Sequence, residues 1–423
     1  MRKLWLCILA VALTAQAVVA GETIRVVMSN HPWVTGMVEM LPEFEKETGI
    51  KVEVERLGDD QLTQKLTVEF TTGNSSIDVF GVRPPNEGKM FLKNGYFENL
   101  DPYFKDDAEY DFADFTPGSV SATRYGDFQT AIPFSIEYEV VFYRKDLLAA
   151  KGLNPPDTFE ELEKWAELLT DRDNEVYGFV SRGQANALIS QFAGFVYGFG
   201  SDWYDKETGK SLVNTPEFVA AIGYYGNLLR KYGPPGALNM GWAQAMAVFL
   251  QGKAAMYTDG SGTFPNLLNP KTSGVADKTG IALFPAGPAG RKTYDVVPLA
   301  IAMYSGSKKK DASWTFIKWM TDKERTAIQQ GKYANPCPRM SVYKIPEANV
   351  NFPADLVQVF QDSVPYTIPY NLPQVTAVVE ARDVIGEAVV AAIDGRDYKA
   401  AAEVAHRKFQ AILDREADER NAE

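Results

Sequence analysis

Side chains that can hydrogen-bond or stack follow several predicted strands of this 423-residue chain. His31 and Trp33 come after a strand predicted at residues 23–28, and Arg83 follows a strand predicted at 77–81. In a parallel α/β sheet, ligands bind beyond the carboxyl ends of the strands, so these loops are candidate binding loops. An arginine donates hydrogen bonds in a fixed fork, and a tryptophan offers a flat apolar face. This chemistry suits noncovalent binding of a small polar molecule.

A second group of candidate binding residues lies in the later parts of the chain. Its members are the polar or aromatic residues Arg182, Gln184, Asn186, Trp242, Asp259, Ser261, Tyr370 and Asn371. The first three follow a strand predicted at 176–180, and the tryptophan stands at a predicted helix entrance. The aspartate and the serine belong to a glycine-rich turn, where the backbone could approach a ligand closely. Core packing of the tryptophan and solvation of the polar loops are the structural alternatives.

The composition argues against most catalytic and metal sites. The histidines are His31 and His406, which are too few for a zinc site or a histidine-based triad. The segment at 208–211 lacks the earlier glycine that a phosphate loop needs, and the acidic segment at 171–175 lacks the sharp-turn glycine of a calcium loop. We therefore expect no metal, no cofactor and no enzymatic activity. Paired carboxylates for glycoside cleavage stay open, because only geometry identifies them.

The N-terminus is typical of an export signal. Two basic residues precede an apolar run at 4–19, and small residues precede Gly21. The run is short for a membrane span, so we predict a signal peptide at residues 1–20 that is cleaved after Ala20. The mature protein would be periplasmic. Because Cys337 is the only cysteine after residue 20, we expect no intramolecular disulfide.

The charge balance bears on possible partners. The chain has 55 acidic and 43 basic side chains, with a net charge of -12. This excess of negative charge argues against nucleic acid or an anionic membrane surface as partner. We predict a monomer.

Strands alternate with helices along the chain, which predicts an α/β protein with parallel sheets. One predicted helix covers 159–170 and is opened by a cap in the segment 156–158. About 400 residues exceed what one core normally organises, so two lobes are expected. Two strand-like runs contain prolines, at 133–137 and 297–300, and these suit places where a strand leaves one sheet for another. We predict interlobe crossovers there.

Seven segments of the chain form a recognisable series: 43–52, 77–79, 133–137, 142–148, 249–256, 312–321 and 336–339. Together they resemble family 1 extracellular solute-binding proteins, the maltose-binding-protein-like carbohydrate receptors of ABC importers. The order and spacing of these segments cover almost the whole chain after the leader.

The resemblance implies a two-lobed periplasmic binding protein. Each lobe would be a mostly parallel sheet flanked by helices, and three crossovers would join the lobes, the third between about 342 and 352. The N-terminal lobe would comprise 21–135 with 299–345, and the C-terminal lobe 136–298 with 346–423. Glu137, just after the first crossover, matches a sugar-binding carboxylate of the family. Many relatives have a tryptophan where this chain has Asp259 to Gly262.

The function implied by the resemblance is capture of a neutral carbohydrate or polyol between the lobes and its delivery to the membrane permease of an ABC importer. The missing tryptophan and the polar loops favour a small ligand, which could be a monosaccharide, a sugar alcohol or a disaccharide. Two alternatives stay open. One is a secreted glycan-processing enzyme, and the other is a receptor for a non-sugar solute such as a polyamine or ferric iron.

Overall fold

The computed structural model describes residues 21–73 and 75–422, so the predicted signal peptide lies outside the described residues. Within these ranges, no helix combines the length and the apolar character that crossing a bilayer requires.

The strands form two larger sheets and one short hairpin. In chain order they are β1 (Thr23–Ser29), β2 (Lys51–Leu57), β3 (Val79–Val82), β4 (Arg124–Tyr125), β5 (Phe128–Gln129), β6 (Ile132–Pro133), β7 (Glu137–Arg144), β8 (Tyr177–Val180), β9 (Ala254–Gly260), β10 (Thr279–Leu283), β11 (Thr293–Val296), β12 (Ala300–Met303) and β13 (Thr367–Ile368).

The first sheet has the strand order β2-β1-β3-β12-β6. Strand β1 pairs in parallel with β2 and β3, whereas β12 runs antiparallel to β3 and β6. The second sheet has the order β13-β11-β7-β9-β8, with β10 also paired to β7. The two-lobed α/β architecture agrees with the prediction.

The second sheet departs from the prediction of a mostly parallel sheet. Its central strand β7 is antiparallel to β9, β10 and β11, and the parallel pairs are β8 with β9 and β11 with β13. Strand β7 enters this lobe directly from the first sheet rather than through a helix of its own lobe. Its direction is therefore set by the crossover and not by a repeating strand-helix-strand unit, which is what makes neighbouring strands parallel.

The helices cover the faces of both sheets. They are α1 (Pro32–Thr48), α2 (Asp59–Thr71), α3 (Lys89–Lys93), α4 (Asp101–Phe104), α5 (Pro117–Ala122), α6 (Lys145–Ala150), α7 (Phe159–Leu169), α8 (Ala185–Gly198), α9 (Pro216–Tyr232), α10 (Trp242–Leu250), α11 (Phe264–Leu267), α12 (Lys310–Thr321), α13 (Lys323–Tyr333), α14 (Ala354–Ser363), α15 (Val378–Ile393) and α16 (Tyr398–Ala422). Helix α7 begins as predicted, because the Thr158 hydroxyl accepts a hydrogen bond of 3.1 Å from the Glu161 backbone N–H.

The chain changes sheets at the two proline-containing runs. It leaves β6 of the first sheet at Pro133 and enters β7 of the second sheet at Glu137. It returns between β11, which ends at Val296, and β12, which begins at Ala300. A third passage lies between α13, which packs on α1, and α14, which packs on β10. The lobe boundaries and the exact third crossover remain predictions.

Candidate ligand-binding cleft

A cleft of about 1100 Å³ lies between the two lobes. Its first wall comes from α2, the end of β3 and the segment leading into α3, and its second wall comes from α8 and α15. The lining residues are Thr63, Gln64, Arg83, Asn86, Glu87 and Met90 on one side, and Asn186, Thr376, Ala377, Val378, Val379, Glu380, Arg382, Asp383 and Val384 on the other. Both polar and apolar groups face this space.

Arg83 is held against the first wall by several hydrogen bonds. It follows the last residue of β3, where its Nε lies 3.2 Å from Oε2 of Glu87 and its Nη2 donates to the Thr63 hydroxyl at 3.0 Å. Glu87 also accepts from the Arg83 backbone N–H at 2.7 Å. Burial raises the pKa of Glu87, and the neighbouring Arg83 charge opposes that rise. Arg83 therefore lies in the cleft, at the strand end from which the sequence predicted a binding residue.

Arg182 and Asp259 form a buried ion pair in the second lobe. Arg182 Nε donates to Oδ2 of Asp259 at 3.0 Å and Nη2 donates to Oδ1 at 2.5 Å. The side chains are 18% and 1% exposed. The Tyr257 hydroxyl donates to Asp259 at 2.7 Å, and Arg182 Nη1 donates to the Ser190 hydroxyl at 3.0 Å. This network fixes the guanidinium behind the second wall.

Glu137 lies at the hinge end, where the first crossover enters β7. It borders a small cavity of about 110 Å³ that is also lined by His31, Ser135 and Gly262. A Cβ atom added to Gly262 would lie 2.2 Å from Glu137 Oε1, and one added to Gly260 would lie 2.5 Å from Oε2. The two glycines thus let the turn after β9 close around the carboxyl group. Burial, and next the Asp259 charge, raise the pKa of Glu137 to about 7, while Arg182 opposes the rise.

His31 caps the N-terminus of α1 and lines the same small cavity. Its Nδ1 accepts a hydrogen bond of 3.1 Å from the Trp33 backbone N–H. Burial lowers the pKa of His31 to about 4, so the imidazole is neutral at pH 7. With Nδ1 acting as acceptor, the proton is on Nε2, which makes Nε2 a hydrogen-bond donor. The Nδ1 contact to the backbone gives His31 a structural role beside its place at the cavity.

The two tryptophans predicted to stack on a ligand lie in very different surroundings. Trp33 is 1% exposed and stacks on Phe134 with ring centroids 4.0 Å apart. We therefore propose a packing role for Trp33 in place of the predicted ligand contact. Trp242, the first residue of α10, is 51% exposed and remains a candidate for contact.

The remaining predicted residues lie in three different places: Asn186 in the cleft, Gln184 at an exposed position before α8 and Ser261 in the interior. Asn186 lines the cleft, where its Nδ2 donates to Asp383 Oδ1 at 2.7 Å. The backbone N–H of Gln184, which precedes α8, donates to the Met240 carbonyl at 3.1 Å. The Ser261 hydroxyl is buried and accepts from the Tyr138 backbone N–H at 3.1 Å, so it braces the turn beside Glu137.

Tyr370 and Asn371 line neither the cleft nor the small hinge cavity. The Tyr370 hydroxyl donates to Asp202, and Lys206 Nζ lies 3.9 Å from the centre of its ring. Asn371 is buried, at 8% exposure. These contacts favour a structural role for both residues.

Several charged residues near the site were not predicted from the sequence, and Glu87 and Glu380 are among them. Arg382 and Asp383 line the cleft from α15, and Asp295 lies on β11 at the second crossover. Arg382 Nε and Nη2 donate to the Asn186 carbonyl at 3.1 and 2.8 Å. Burial, and next the Arg182 charge, lower the pKa of Arg382 to about 10. A charged residue on an amphipathic helix gives no local signal of a site.

Asp295 joins the two lobes beside the hinge. It is 1% exposed, and its Oδ2 lies 2.3 Å from the place where a Cβ atom on Gly118 of α5 would stand. No described residue donates a hydrogen bond to its Oδ1. Burial raises the pKa of Asp295 to about 7, and a hydrogen bond from Thr116 opposes the rise.

The rim of the cleft is bridged by charged contacts between α3 and α16. Lys89 Nζ pairs with Glu416 and donates to the Gln374 carbonyl at 2.9 Å. Glu416 also accepts from the Thr376 backbone N–H at 3.2 Å. Lys93 Nζ lies 2.8 Å from a carboxylate oxygen of the same helix α16. These contacts tie the first lobe to the C-terminal helix.

Comparison with known proteins decides the family. The model of the bacterial extracellular solute-binding protein family matches residues 31–327. The chain belongs to this family. In the described residues, no group of three or more histidine, cysteine, aspartate or glutamate side chains could hold a metal ion.

Relatives of this solute-binding protein extend the comparison. It is 29% identical over 329 residues to the mannitol-binding protein of Pseudomonas aeruginosa, covering 74% of this chain and 72% of that protein. It is 30% identical over 351 residues to the erythritol/L-threitol-binding protein of Mycolicibacterium smegmatis, covering 77% and 72%. The crystal structure of an ABC transporter solute-binding protein from Agrobacterium radiobacter in complex with ribitol is 29% identical, with a TM-score of 0.79 and coverage of 93% and 99%.

Proposed function

We propose that this solute-binding protein captures a small neutral polyol or sugar between its lobes and delivers it to an ABC importer. The observation that carries the proposal is the agreement among the three relatives. Two are named for mannitol and for erythritol and L-threitol, and the third holds ribitol. All of these ligands are acyclic polyols.

The chemistry of the cleft supports a neutral, hydroxyl-rich ligand. Each hydroxyl group both donates and accepts hydrogen bonds, so it can use partners of either sign. The cleft offers guanidinium donors at Arg83 and Arg382 and an amide at Asn186, while Glu137 is an acceptor at the hinge end. A cationic ligand such as a polyamine would meet both guanidinium groups. The chain has no stacking tryptophan after β9, which is compatible with an acyclic polyol and also with a cyclic sugar.

The mechanism we propose is capture by closure of the two lobes. A ligand that contacts both walls binds the closed form more tightly than the open form and so shifts the equilibrium towards closure. The closed protein would then be recognised by the membrane permease. No bond is made or broken in this cycle, and the protein would act in the periplasm after removal of residues 1–20.

The test is a binding screen with the purified mature protein. Erythritol, ribitol, D-mannitol, maltose, putrescine, spermidine and ferric citrate would be compared by thermal shift and then by calorimetry. A ligand at a hundredfold excess over its Kd stabilises the folded protein by about 2.7 kcal/mol. We expect a polyol or a sugar to raise Tm by a few degrees, and we expect Glu137→Gln to weaken its binding.

Two outcomes would contradict the proposal. Stabilisation by polyamines or iron alone would mean a different ligand class. Appearance of new products from maltose or longer glucans, followed by chromatography, would mean that the protein is an enzyme. Polyol binding that is unchanged in Glu137→Gln would keep the receptor function and remove Glu137 from the site.

A further inference from the structure

Arg382 differs from the other arginines at the cleft in how its hydrogen-bond donors are used. Arg182 holds both oxygens of Asp259, and Arg83 contacts Glu87 and Thr63. Arg382 Nε and Nη2 share one acceptor, the backbone carbonyl of Asn186. Within the described part of the chain, no carboxylate forms an ion pair with Arg382. Its Nη1 makes no hydrogen bond to the described residues, and the Arg382 side chain lines the cleft.

The surroundings of Arg382 are unfavourable for an isolated positive charge. Its side chain is part of the cleft wall, and its neighbours include two like charges, Arg182 behind it and Arg83 on the opposite wall. Asp383 is near, but Asn186 Nδ2 already donates to its carboxylate at 2.7 Å. A partly desolvated guanidinium gains most from an acceptor that enters the cleft from outside. Ligand oxygens placed between the two walls would provide such acceptors.

We propose that Arg382 contacts the ligand and determines its specificity, selecting an oxygen and rejecting an amine at the adjacent ligand position. This inference rests on the proposed function, since it names a residue of the same site. The Nη1 group donates to a ligand oxygen, and the planar fork allows two neighbouring oxygens to be bound together. A protonated amine at that position would face the charge of Arg382, and the neighbouring Asp383 carboxylate already accepts a hydrogen bond from Asn186 Nδ2.

The helix position explains how Arg382 is aimed. The carbonyl of Asn186 belongs to the first turn of α8, and it fixes one edge of the guanidinium through two hydrogen bonds. An arginine fixed in this way has lost part of its conformational freedom before the ligand arrives, so less entropy is lost on binding. The same contacts join α8 to α15, which gives Arg382 a structural role as the alternative.

The experiment compares three ligands that differ at one terminal group. They are the tightest binder among D-mannitol, ribitol and erythritol, the aldonate with a carboxylate at that end, and the 1-amino-1-deoxy derivative. Calorimetry would give Kd for each ligand with the wild-type protein, Arg382→Gln and Arg382→Lys. Arg396→Gln is the matched control, because Arg396 lies just after α15, is exposed and pairs with the exposed Asp394 at 2.8 Å, and neither residue lines the cleft.

For the wild-type protein we expect the aldonate to bind at least as tightly as the polyol and the amine to bind at least tenfold more weakly. Arg382→Gln should raise the Kd of the polyol by about tenfold and reduce the discrimination against the amine. Arg382→Lys should keep that discrimination, because the charge remains, while it loses affinity for the polyol along with the fork. Arg396→Gln should change neither quantity.

The discrimination between polyol and amine is the measurement that a purely structural role would not alter. If Arg382→Gln and Arg382→Lys keep the wild-type affinities and ratios, Arg382 only fastens α8 to α15. If Arg382→Gln does not fold, Arg382→Lys decides between the two roles by its polyol affinity. If the wild-type protein binds none of the polyols or sugars, the proposed function itself fails, which is distinct from normal polyol binding without dependence on Arg382.

Discussion

The hinge end of the cleft and its open end differ in the kind of charged group that they contain. At the hinge, burial raises the pKa values of Glu137 and Asp295 to about 7, so these carboxyl groups are easily neutralised. At the open end, Arg83 and Arg382 line a cleft of about 1100 Å³, and the pKa of Arg382 is lowered only to about 10. The two carboxyl groups at the crossovers therefore titrate near neutral pH, whereas the walls of the open end offer guanidinium donors.

The difference has a physical origin in what surrounds each group. Asp295 lies 1% exposed against α5, where one of its oxygens accepts no hydrogen bond from the described residues. A carboxylate in such a place loses its hydration without a matching partner. Arg83 retains partners in Glu87 and Thr63. The guanidinium group of an arginine is also much harder to neutralise than a carboxylate.

The largest loss of stability should come from breaking the ion pair of Arg182 and Asp259, which lies between the two ends of the cleft. Asp259→Ala leaves the Arg182 guanidinium buried without its bidentate partner, so the free energy of unfolding should fall by about 3–5 kcal/mol. Urea denaturation followed by circular dichroism would measure it. Asp383→Ala, which removes an exposed carboxylate at the open end, should cost less than 1 kcal/mol by comparison. Equal losses in the two variants would remove the distinction between buried pair and exposed wall.

A pH titration of stability should identify the hinge carboxyl groups. The pKa of Asp295 is 3.8 in its ordinary state and about 7 in the folded protein. The folded state therefore binds more protons between these values, and its stabilisation, complete below about pH 4, is lost as pH rises towards 7. One such group contributes a slope of up to about 1.4 kcal/mol per pH unit.

Asp295→Asn is the variant that isolates this contribution. The free energy of unfolding of the variant should decline less between pH 4.5 and pH 7 than that of the wild-type protein. Glu137→Gln should flatten the profile in the same window, since the pKa of Glu137 is also raised to about 7. An unchanged slope in both variants would mean that other groups carry the pH dependence.

A smaller effect is expected from crowding the Glu137 carboxyl group. Gly262→Ala would place a Cβ atom 2.2 Å from Glu137 Oε1, which forces the carboxyl group or the turn to move. We expect about tenfold weaker polyol binding with little change in the response to ionic strength. Gly58→Ala is the control, because the nearest atom to its added Cβ is a Gln61 oxygen at 3.5 Å. Full affinity in Gly262→Ala would argue that the ligand does not reach the hinge end.

The smallest effect should come from the rim. Lys89→Met removes the contacts to Glu416 and to the Gln374 carbonyl, which join α3 to α16. Partly exposed ion pairs contribute about 0.2–1 kcal/mol, so polyol affinity should fall by no more than about fivefold, and less at high salt. Lys310→Met is the control, because Lys310 pairs with Glu98 at 2.7 Å away from the cleft. A larger loss, or one that salt does not reduce, would mean that Lys89 contacts the ligand.

Local rules predicted much of the fold. The Thr158 cap, the start of α10 at Trp242 and the sheet changes beside Pro133 and Pro298 all follow from residue types over a few positions. The antiparallel pairing of β7 could not be predicted in this way. It depends on how the chain crosses between lobes, which no local pattern encodes.

The site was less predictable for the same reason. Arg83 was found because it directly follows a strand, where the position along the chain also gives the position in space. Arg382 lies within a helix, and only its packing against Asn186 brings it to the cleft. The burial of Trp33 depends on Phe134, about a hundred residues later in the chain, so the loop sequence alone could not distinguish packing from ligand contact.

Cys337, beside the hinge, is a built-in chemical probe of how often this region opens. It is the only cysteine of the described residues, it is 1% exposed, and burial raises the pKa of its thiol to about 12. Its backbone carbonyl accepts a hydrogen bond of 2.9 Å from the Tyr343 hydroxyl, and the neighbouring Pro336 carbonyl accepts one of 3.2 Å from the Ile136 N–H of the first crossover. Alkylating reagents react with thiolates that they can reach. The rate at which this one sulfur is alkylated therefore measures how often the region around the first crossover opens, and no engineered probe is needed.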